Sequence, residues 1–205
     1  KVLALIEKGI AAICAHTNLD AAEGGVNTAL AQRLGLENPV LLETDGVDEA
    51  GRPYGIGRVG SLPGGPLSLA DFARKAKENL GRVGNTTGVP KYAPAFATFV
   101  KEALGANGVR YVDARRPVRR VAVGGGACGS MLPQVKAMGC DTFLTSDLKH
   151  DLYLEARDLG INLLDAGHYS TEAVVCPVLA QWVREAFPDL EVLEAEGQGE
   201  VFGYF

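Results

Sequence analysis

Two His-x-x-x-carboxylate motifs stand at opposite ends of a chain that contains three histidines. His16 and Asp20 lie in His-Thr-Asn-Leu-Asp, and His168 and Glu172 lie in Gly-His-Tyr-Ser-Thr-Glu. Imidazole nitrogen and carboxylate oxygen together suit zinc, iron, manganese or nickel, and a carboxylate can bridge two such ions. The two motifs therefore predict a divalent-metal site.

A single motif of this kind has a simpler explanation. On a helix, His168 and Glu172 lie four residues apart on one face, where they could form a surface ion pair, and Ser170 or Thr171 could cap the helix start. Two such pairs, which use two of the three histidines, favour metal ligation.

Apolar runs of strand length alternate with helical patterns, which is typical of an α/β protein. We expect strands over residues 10–15, 141–147 and 161–164, each followed at once by polar residues. Sites in α/β proteins form where strands end at their carboxyl edge. The sequence therefore predicts one cleft faced by Asp20, Asp147, His150, His168 and Glu172.

A glycine-rich turn, residues 124–130, follows an expected β-branched strand over residues 118–123. Such a turn between strand and helix can bring backbone amides close to an anion, but the spacing matches neither a dinucleotide fingerprint nor a phosphate loop. A tight turn that packs a helix closely on the sheet explains the glycines equally well, and both interpretations stay open.

Helical patterns cover residues 24–34 and 68–81, and residues 82–94 have the composition of a linker. Residues 96–105 repeat part of the pattern of residues 72–81. Amphipathic helices share partial matches by chance, so a local duplication and a coincidence both account for the repeat.

Composition narrows the classes of function. The 205 residues are 47% hydrophobic, enough for a substantial core, and the net charge of −5 provides no basic field for nucleic acid. The four cysteines form no Cys-x-x-Cys pair, which indicates free thiols in a reducing compartment. No stretch approaches the ~20 apolar residues of a membrane span. We expect a cytoplasmic protein that acts neither in a membrane nor on nucleic acid.

Five motifs in this order resemble the dinuclear metal-centre family whose members are named GTP cyclohydrolase I type 2 homologs, also called the NGG-interacting-factor-three-like family. The resemblance covers nearly the whole chain. The motifs are His-Thr-Asn-Leu-Asp-Ala-Ala-Glu-Gly-Gly-Val-Asn from His16, Gly-Ile-Gly-Arg-Val-Gly from Gly55, Gly-Gly-Gly-Ala-Cys-Gly-Ser from Gly124, Thr-Ser-Asp-Leu-Lys-His from Thr145 and Asp-Ala-Gly-His-Tyr-Ser-Thr-Glu from Asp165.

The resemblance implies an α/β fold of two similar lobes, each a mixed sheet flanked by helices, assembled as a homohexameric ring. We place the first lobe at residues 1–81, a connecting segment with an extra helix at 82–117, and the second lobe at 118–205. The family also implies two divalent ions per subunit, zinc, iron, manganese or nickel. On the matching positions, Asp20 and His168 would be metal ligands and Glu172 the carboxylate that bridges both ions.

The chain departs from the family in one respect. The family supplies further ligands from a His-His-Pro motif upstream of its counterpart of His16, and this chain contains no adjacent pair of histidines. We expect either a fragment of a longer protein or a shortened member, with an N-terminally incomplete first lobe.

These patterns predict metal-assisted hydrolysis of a nucleotide or phosphoester-like small molecule, with His16 or His150 orienting a ligand or transferring a proton. His150 is equally well explained as an exposed residue at a helix start. The alternative class is a non-enzymatic metal-binding or protein-interaction module with a regulatory function. A metal-free remnant is a third interpretation, because the His-His motif is missing. Whether the chain is an enzyme stays open at this point.

Overall fold

A computed structural model describes residues 1–62 and 93–203 of the chain. The described helices are α1 (Val2–Glu7), α2 (Thr17–Ala21), α3 (Val26–Arg33), α4 (Ala93–Leu104), α5 (Leu132–Ala137), α6 (His150–Leu159), α7 (His168–Glu172) and α8 (Cys176–Ala186). The described strands are β1 (Glu37–Leu41), β2 (Gly46–Val47), β3 (Pro53–Tyr54), β4 (Arg58–Ser61), β5 (Arg110–Val112), β6 (Arg120–Val123), β7 (Thr142–Thr145) and β8 (Asn162–Asp165).

Six strands form one mixed sheet in the order β1-β4-β6-β7-β8-β5, and β2 and β3 form a separate short hairpin. The central strands β6, β7 and β8 run parallel, whereas β1, β4 and β5 join their neighbours antiparallel. The fold is therefore mixed α/β, as the alternation of strand and helix patterns predicted. The carboxyl ends of β6, β7 and β8 meet at one edge of the sheet.

Helices cover both faces of the sheet because successive residues of a strand point to opposite faces. In β6, Val121 and Val123 pack with α3 and α4, while Ala122 packs on the other face with α5 and α6. All three residues are fully buried. A central strand buried on both faces explains why β6 is apolar throughout rather than alternating.

Several elements match their predictions closely. Strands β6 and β7 lie within the predicted residues 118–123 and 141–147, and α3 lies within residues 24–34. Helix α6 ends at Gly160. Gly160 has the left-handed backbone (φ 69°) that commonly ends a helix. Helix α4 covers the second copy of the local repeat and ends just before Gly105.

One predicted strand is wrong. Residues 10–15 have no regular structure and are exposed, with Ile13 at 96%. A strand needs a hydrogen-bonding neighbour, and no described strand runs beside this segment. The His16–Asp20 motif consequently follows an irregular segment and forms the start of α2, instead of leaving the end of a strand.

Other predictions fall outside the described residues or are not tested by the fold. The expected helix over residues 68–81, the first copy of the repeat and residues 82–92 of the linker expected at 82–94 lie outside the described residues. The last two residues of that linker, 93–94, begin α4. The division into lobes at 1–81, 82–117 and 118–205 stays a prediction. Within residues 1–62 and 93–203, no helix is long and apolar enough to cross a membrane.

Candidate metal centre

Strand β8 delivers His168 to the carboxyl edge of the sheet, and Asp165 fixes how it arrives. The buried Asp165 carboxylate accepts hydrogen bonds from the Leu148 and Gly167 amides and the Tyr153 hydroxyl, each at 3.2 Å, and pairs with the Arg110 guanidinium. Gly167 then turns the chain into α7 with a φ of 86°, which glycine adopts readily. The start of α7 is thus held by the buried Asp165 carboxylate, three residues before His168.

Both nitrogens of the His168 ring face carboxylates. Nε2 lies 2.9 Å from Oε1 of Glu172, one helical turn later, and Nδ1 lies 2.6 Å from Oδ2 of Asp147 at the end of β7. The three side chains are one third to one half exposed. The parallel pairing of β7 and β8 brings Asp147 beside His168, as predicted for strands that end side by side.

The charges around His168 change its proton affinity. The hydrogen bond to Asp147 is the largest cause of a raised His168 pKa, and the negative charge of Glu172 acts in the same direction, while partial burial opposes both. The carboxylates thus favour a positively charged group between them, which is the electrostatic condition for binding a cation.

Asp20 lies within electrostatic reach of this pair. Burial is the main cause of its raised pKa, and repulsion from Glu172 adds to it, whereas attraction to His16 and His168 lowers it. Asp20 on α2 and the His168–Glu172 pair on α7, far apart in the sequence, therefore interact electrostatically. They do so although residues 10–15 do not form the strand that was expected to precede Asp20.

The glycine-rich turn lies directly beneath His168 and Glu172. A Cβ atom on Gly126, whose φ is 66°, would lie 2.3 Å from Glu172 Oε1 and 3.2 Å from His168 Nε2. No side chain fits in that space, so the absence of a Cβ at Gly126 allows the His168–Glu172 pair to rest against the turn.

Four amides of this turn donate hydrogen bonds within the protein. The Gly124 amide donates to the Leu144 carbonyl at 2.9 Å, and the Gly126 amide to the Thr171 hydroxyl at 3.0 Å. The Gly125 amide donates to the Asn27 side chain at 2.9 Å, and the Cys128 amide to the Thr145 hydroxyl at 3.0 Å. Of the two interpretations of the turn, these bonds support close packing over an anion site.

Asn27 and Thr171 connect the parts of the site, a function that the sequence analysis did not predict for either residue. The fully buried Asn27 also donates from Nδ2 to the Asp20 carbonyl at 2.9 Å, so it joins α2 to the glycine-rich turn. Thr171 joins that turn to α7 through the Gly167 and His168 carbonyls. The available signal was a polar Asn and a polar Thr at helix positions that otherwise face the core.

Arg58 secures the other side of the Asp20 segment. Its buried guanidinium donates to the Gly55 and Gly57 carbonyls at 2.9 Å and to the Ala22 carbonyl at 3.3 Å. Burial lowers the Arg58 pKa, while the nearby Glu23 raises it. The Gly-Ile-Gly-Arg-Val-Gly motif thus supports the backbone that follows Asp20.

The other two histidines, His16 and His150, make no described contact with the His168–Glu172 pair. His16 is exposed, its Nδ1 lies 3.1 Å from the Thr17 hydroxyl, and its amide donates to Asn18 Oδ1 at 2.9 Å. His150 is exposed at the first residue of α6, and no described hydrogen bond or ion pair joins it to the His168 cluster. The predicted catalytic functions of His16 and His150 stay predictions.

The imidazole and carboxylate groups of Asp20, His168 and Glu172 are of the types that bind divalent ions, but only those of His168 and Glu172 are in direct contact. Within the described residues, no group of three or more His, Cys, Asp and Glu side chains is placed to hold a metal ion. His168 Nε2 and Glu172 Oε1 do converge, and Asp20 is near enough for its pKa to respond to both. The metal assignments of Asp20, His168 and Glu172 stay predictions.

Together, the sheet and the cluster define a mixed α/β protein with a histidine–carboxylate site at the carboxyl edge of three parallel strands. The family model described as Duf34/NIF3 (NGG1p interacting factor 3) matches residues 1–198, and the chain belongs to that family. This confirms the resemblance seen in the five motifs.

Curated relatives carry the name that the motifs suggested. A Streptomyces coelicolor protein named "GTP cyclohydrolase 1 type 2 homolog" is 38% identical over 183 residues, which cover 88% of this chain and 56% of the relative. A Nostoc protein of the same name is 32% identical over 97% of this chain and 64% of its own length. The chain thus spans less than two thirds of these two relatives.

Solved structures confirm the fold. The Staphylococcus aureus hypothetical protein SA1388 superposes with a TM-score of 0.74 at 24% identity, covering 98% of this chain and 71% of that protein. Reduced HcgD from Methanocaldococcus jannaschii superposes with a TM-score of 0.59 at 27% identity, covering 91% of this chain and 61% of HcgD.

Proposed function

We propose that the chain binds divalent metal ions through His168, Glu172 and Asp20 and that this centre supports hydrolysis of a nucleotide or phosphoester-like small molecule. The observation that carries the proposal is the convergence of His168 Nε2 and Glu172 Oε1 at 2.9 Å, with the opposite ring nitrogen held by Asp147. Membership of the family and the cyclohydrolase-homolog names of the relatives also support a hydrolase.

The chemistry of the donors favours zinc, manganese, iron or nickel. One imidazole and two carboxylates form a nitrogen–oxygen set typical of these ions. Glu172, whose Oε1 faces His168, has two carboxylate oxygens and would be the residue shared by both ions of the proposed dinuclear centre. A bound ion would supply Lewis-acid polarisation of a carbonyl or phosphoryl oxygen.

The residues around the proposed ions would have different functions. Asp20 would hold an ion from α2, and Asn27 keeps its backbone next to the glycine-rich turn. His16 lies close enough to Asp20 to lower that carboxyl's pKa, which supports proton transfer or ligand orientation by His16. His150 has no such support, and its assignment rests on the motif alone.

The alternative is a non-enzymatic metal-binding or protein-interaction module. Its specific support is apolar surface on α8 and the segment after it, where Trp182, Val183, Phe187, Leu190 and Leu193 are 39–80% exposed. Exposed apolar side chains on this scale indicate association with another protein surface. The same surface supports the homohexamer proposal, which light scattering after gel filtration would test.

A hydrolase screen separates the two classes. We would assay nucleotides and phosphoesters with added manganese or zinc, using wild-type chain, Glu172→Gln, and Glu185→Gln as a control of equal chemistry on the exposed part of α8. The hydrolase proposal predicts metal-dependent turnover that Glu172→Gln abolishes and Glu185→Gln retains. Metal binding without turnover of any substrate would favour the interaction module.

A further inference from the structure

Asp147 has a backbone conformation that few non-glycine residues adopt. Its φ is 53°, in the left-handed region, which is uncommon outside glycine although Asp and Asn tolerate it best. Both neighbours hold it there: the buried Ser146 amide donates to the Gly126 carbonyl at 3.0 Å, and the buried Leu148 amide to Asp165 at 3.2 Å. The turn is therefore determined by its surroundings and presents the Asp147 side chain outward.

That outward side chain meets His168. Asp147 Oδ2 lies 2.6 Å from His168 Nδ1, a length typical of a charge-assisted hydrogen bond. A carboxylate accepts the proton of Nδ1–H, so this contact directs the other nitrogen, Nε2, to the side where Glu172 lies. In metal sites, a carboxylate behind a ligating histidine fixes the ring orientation in this way.

Stability alone does not account for this arrangement. Asp147 and His168 are 48% and 45% exposed, and ion pairs at such positions contribute little to folding because solvent screens them. A left-handed backbone at a non-glycine residue is unfavourable, and such conformations concentrate at functional sites. An unfavourable backbone that produces only an exposed ion pair is better explained by what it does to His168.

We infer that Asp147 is a positioning residue: it fixes His168 in the Nδ1–H form and thereby aims Nε2 at the ion that His168 and Glu172 share. The inference rests on the proposed metal centre and adds a residue that no ligand assignment above includes. It also explains why β7 ends in a polar turn beside α7.

Two substitutions separate the carboxylate from the backbone conformation. Asp147→Gly and Asp147→Asn both accept the left-handed backbone, so neither introduces strain. Gly removes the acceptor, whereas Asn keeps an oxygen without the charge. Asp158→Asn, at an exposed position near the end of α6, makes the same chemical change away from the site.

The first measurement is zinc affinity, determined by competition with a chromophoric chelator. We expect Asp147→Gly to weaken zinc binding roughly 10- to 100-fold, the range for carboxylates behind ligating histidines, and Asp147→Asn to fall between Gly and wild type. Asp158→Asn should bind like wild type, and thermal unfolding of the metal-free variants should show that all three fold.

The second measurement is the tautomer of His168 in the metal-free chain, read from nitrogen–proton NMR correlations at alkaline pH, where imidazole is neutral. With three histidines in the chain, His16→Gln and His150→Gln variants assign the signals. We expect the Nδ1–H form to predominate in wild type, because the Asp147 contact at 2.6 Å is shorter than the Glu172 contact at 2.9 Å. In Asp147→Gly, Glu172 is the carboxylate that remains beside the ring, so the equilibrium should shift towards the Nε2–H form. A purely structural contribution of Asp147 would leave this equilibrium unchanged.

The two readouts separate this inference from the proposed function. Unchanged tautomer in Asp147→Gly overturns the inference, whatever happens to zinc affinity. Unchanged zinc affinity in Asp147→Gly, with wild type binding zinc, overturns it as well and leaves the metal centre standing. If wild type binds no zinc, the proposed metal function fails, and the NMR comparison alone then decides whether Asp147 fixes the ring.

Discussion

The two His-x-x-x-carboxylate motifs have the same spacing but different surroundings. His168 and Glu172 lie on α7, 2.9 Å apart, with Asp147 behind the ring and Gly126 beneath it. His16 is exposed just before the five-residue α2, after an irregular segment. Its carbonyl accepts the Asp20 amide at 3.2 Å, and its side chain affects the Asp20 carboxylate through charge. Residue spacing therefore identifies candidates, while the neighbouring elements decide which candidates become a preformed pair.

The difference predicts different functions for the two histidines in the proposed metal centre. His168 is held on both sides by carboxylates and would be its central ligand. The first motif would contribute Asp20, whose backbone Asn27 fixes to the glycine-rich turn. The following predictions test this asymmetry in order of decreasing effect.

Exchanging the two histidines for alanine should give the largest contrast. His168→Ala removes the central donor, so zinc affinity should fall by more than about 100-fold, beyond the range for residues behind a ligand. His16→Ala should reduce it by less than about 10-fold, as a residue outside the ligand set. Titration calorimetry with zinc measures both. Equal losses for the two variants would show that the motifs are equivalent and that the asymmetry is wrong.

Gly126→Ala should disturb the pair from beneath. The new Cβ would lie 2.3 Å from Glu172 Oε1, so that carboxylate must move, and we expect zinc affinity to fall on the order of 10-fold or more. The left-handed backbone adds a stability loss of about 1–3 kcal/mol.

Gly139→Ala is the matched control for this variant. Gly139 has a φ of 69° and nothing within 4 Å of a Cβ, so it carries the backbone penalty without the clash. Denaturant unfolding should give similar stability losses in the two variants, and zinc affinity should fall only in Gly126→Ala. A comparable affinity loss in Gly139→Ala would attribute the effect to backbone strain.

Asn27→Ala should loosen the connection between Asp20 and the turn. It leaves the buried Gly125 amide without its acceptor and the Asp20 carbonyl without a donor, which should lower the free energy of unfolding by about 1–3 kcal/mol. Asn107→Ala, which loses one exposed hydrogen bond to the Phe202 carbonyl, should change it by less than about 0.5 kcal/mol. Indistinguishable urea midpoints for the two variants would show that Asn27 does not stabilise the connection between Asp20 and the glycine-rich turn.

The last test measures cysteine reactivity in the unmutated chain, so it changes neither the site nor its stability. Burial is the main cause that raises the Cys128 pKa to about 11, and the charges of Asp20 and Glu172 add to it. Thiolate is the reactive form, so at neutral pH Cys128 should be alkylated far more slowly than the exposed Cys14 and Cys176.

The raised pKa of Cys128 also determines how the stability of the fold changes with pH. Because the folded pKa lies above the ordinary value of 9.0, Cys128 stabilises the fold below about pH 9 and loses that contribution as pH rises towards 11. Peptide mapping after timed iodoacetamide treatment measures the rates. Fast labelling of Cys128 at neutral pH would mean that the thiol is not buried beside the two carboxylates.

The sequence predicted the central sheet and the α7 half of the site because the required signals are local. Apolar runs followed by a glycine-rich turn or by polar residues marked β6, β7 and β8, and four-residue spacing placed His168 and Glu172 on one face. The strand predicted over residues 10–15 was wrong because an apolar run forms a strand only when a neighbouring strand supplies hydrogen bonds. The bonds of Asn27 and Thr171 to the glycine-rich turn join segments that are distant in the sequence, so the motifs did not predict them.

The most direct test of the account is the metal content of the chain. Purified chain without an affinity tag would be loaded with zinc, separated from excess by gel filtration and measured by elemental mass spectrometry beside an Asp20→Ala, His168→Ala double variant treated identically. The account predicts near-stoichiometric zinc in wild type and its loss in the folded double variant. Equal zinc in both proteins, or none in either, would contradict a metal centre built on His168, Glu172 and Asp20.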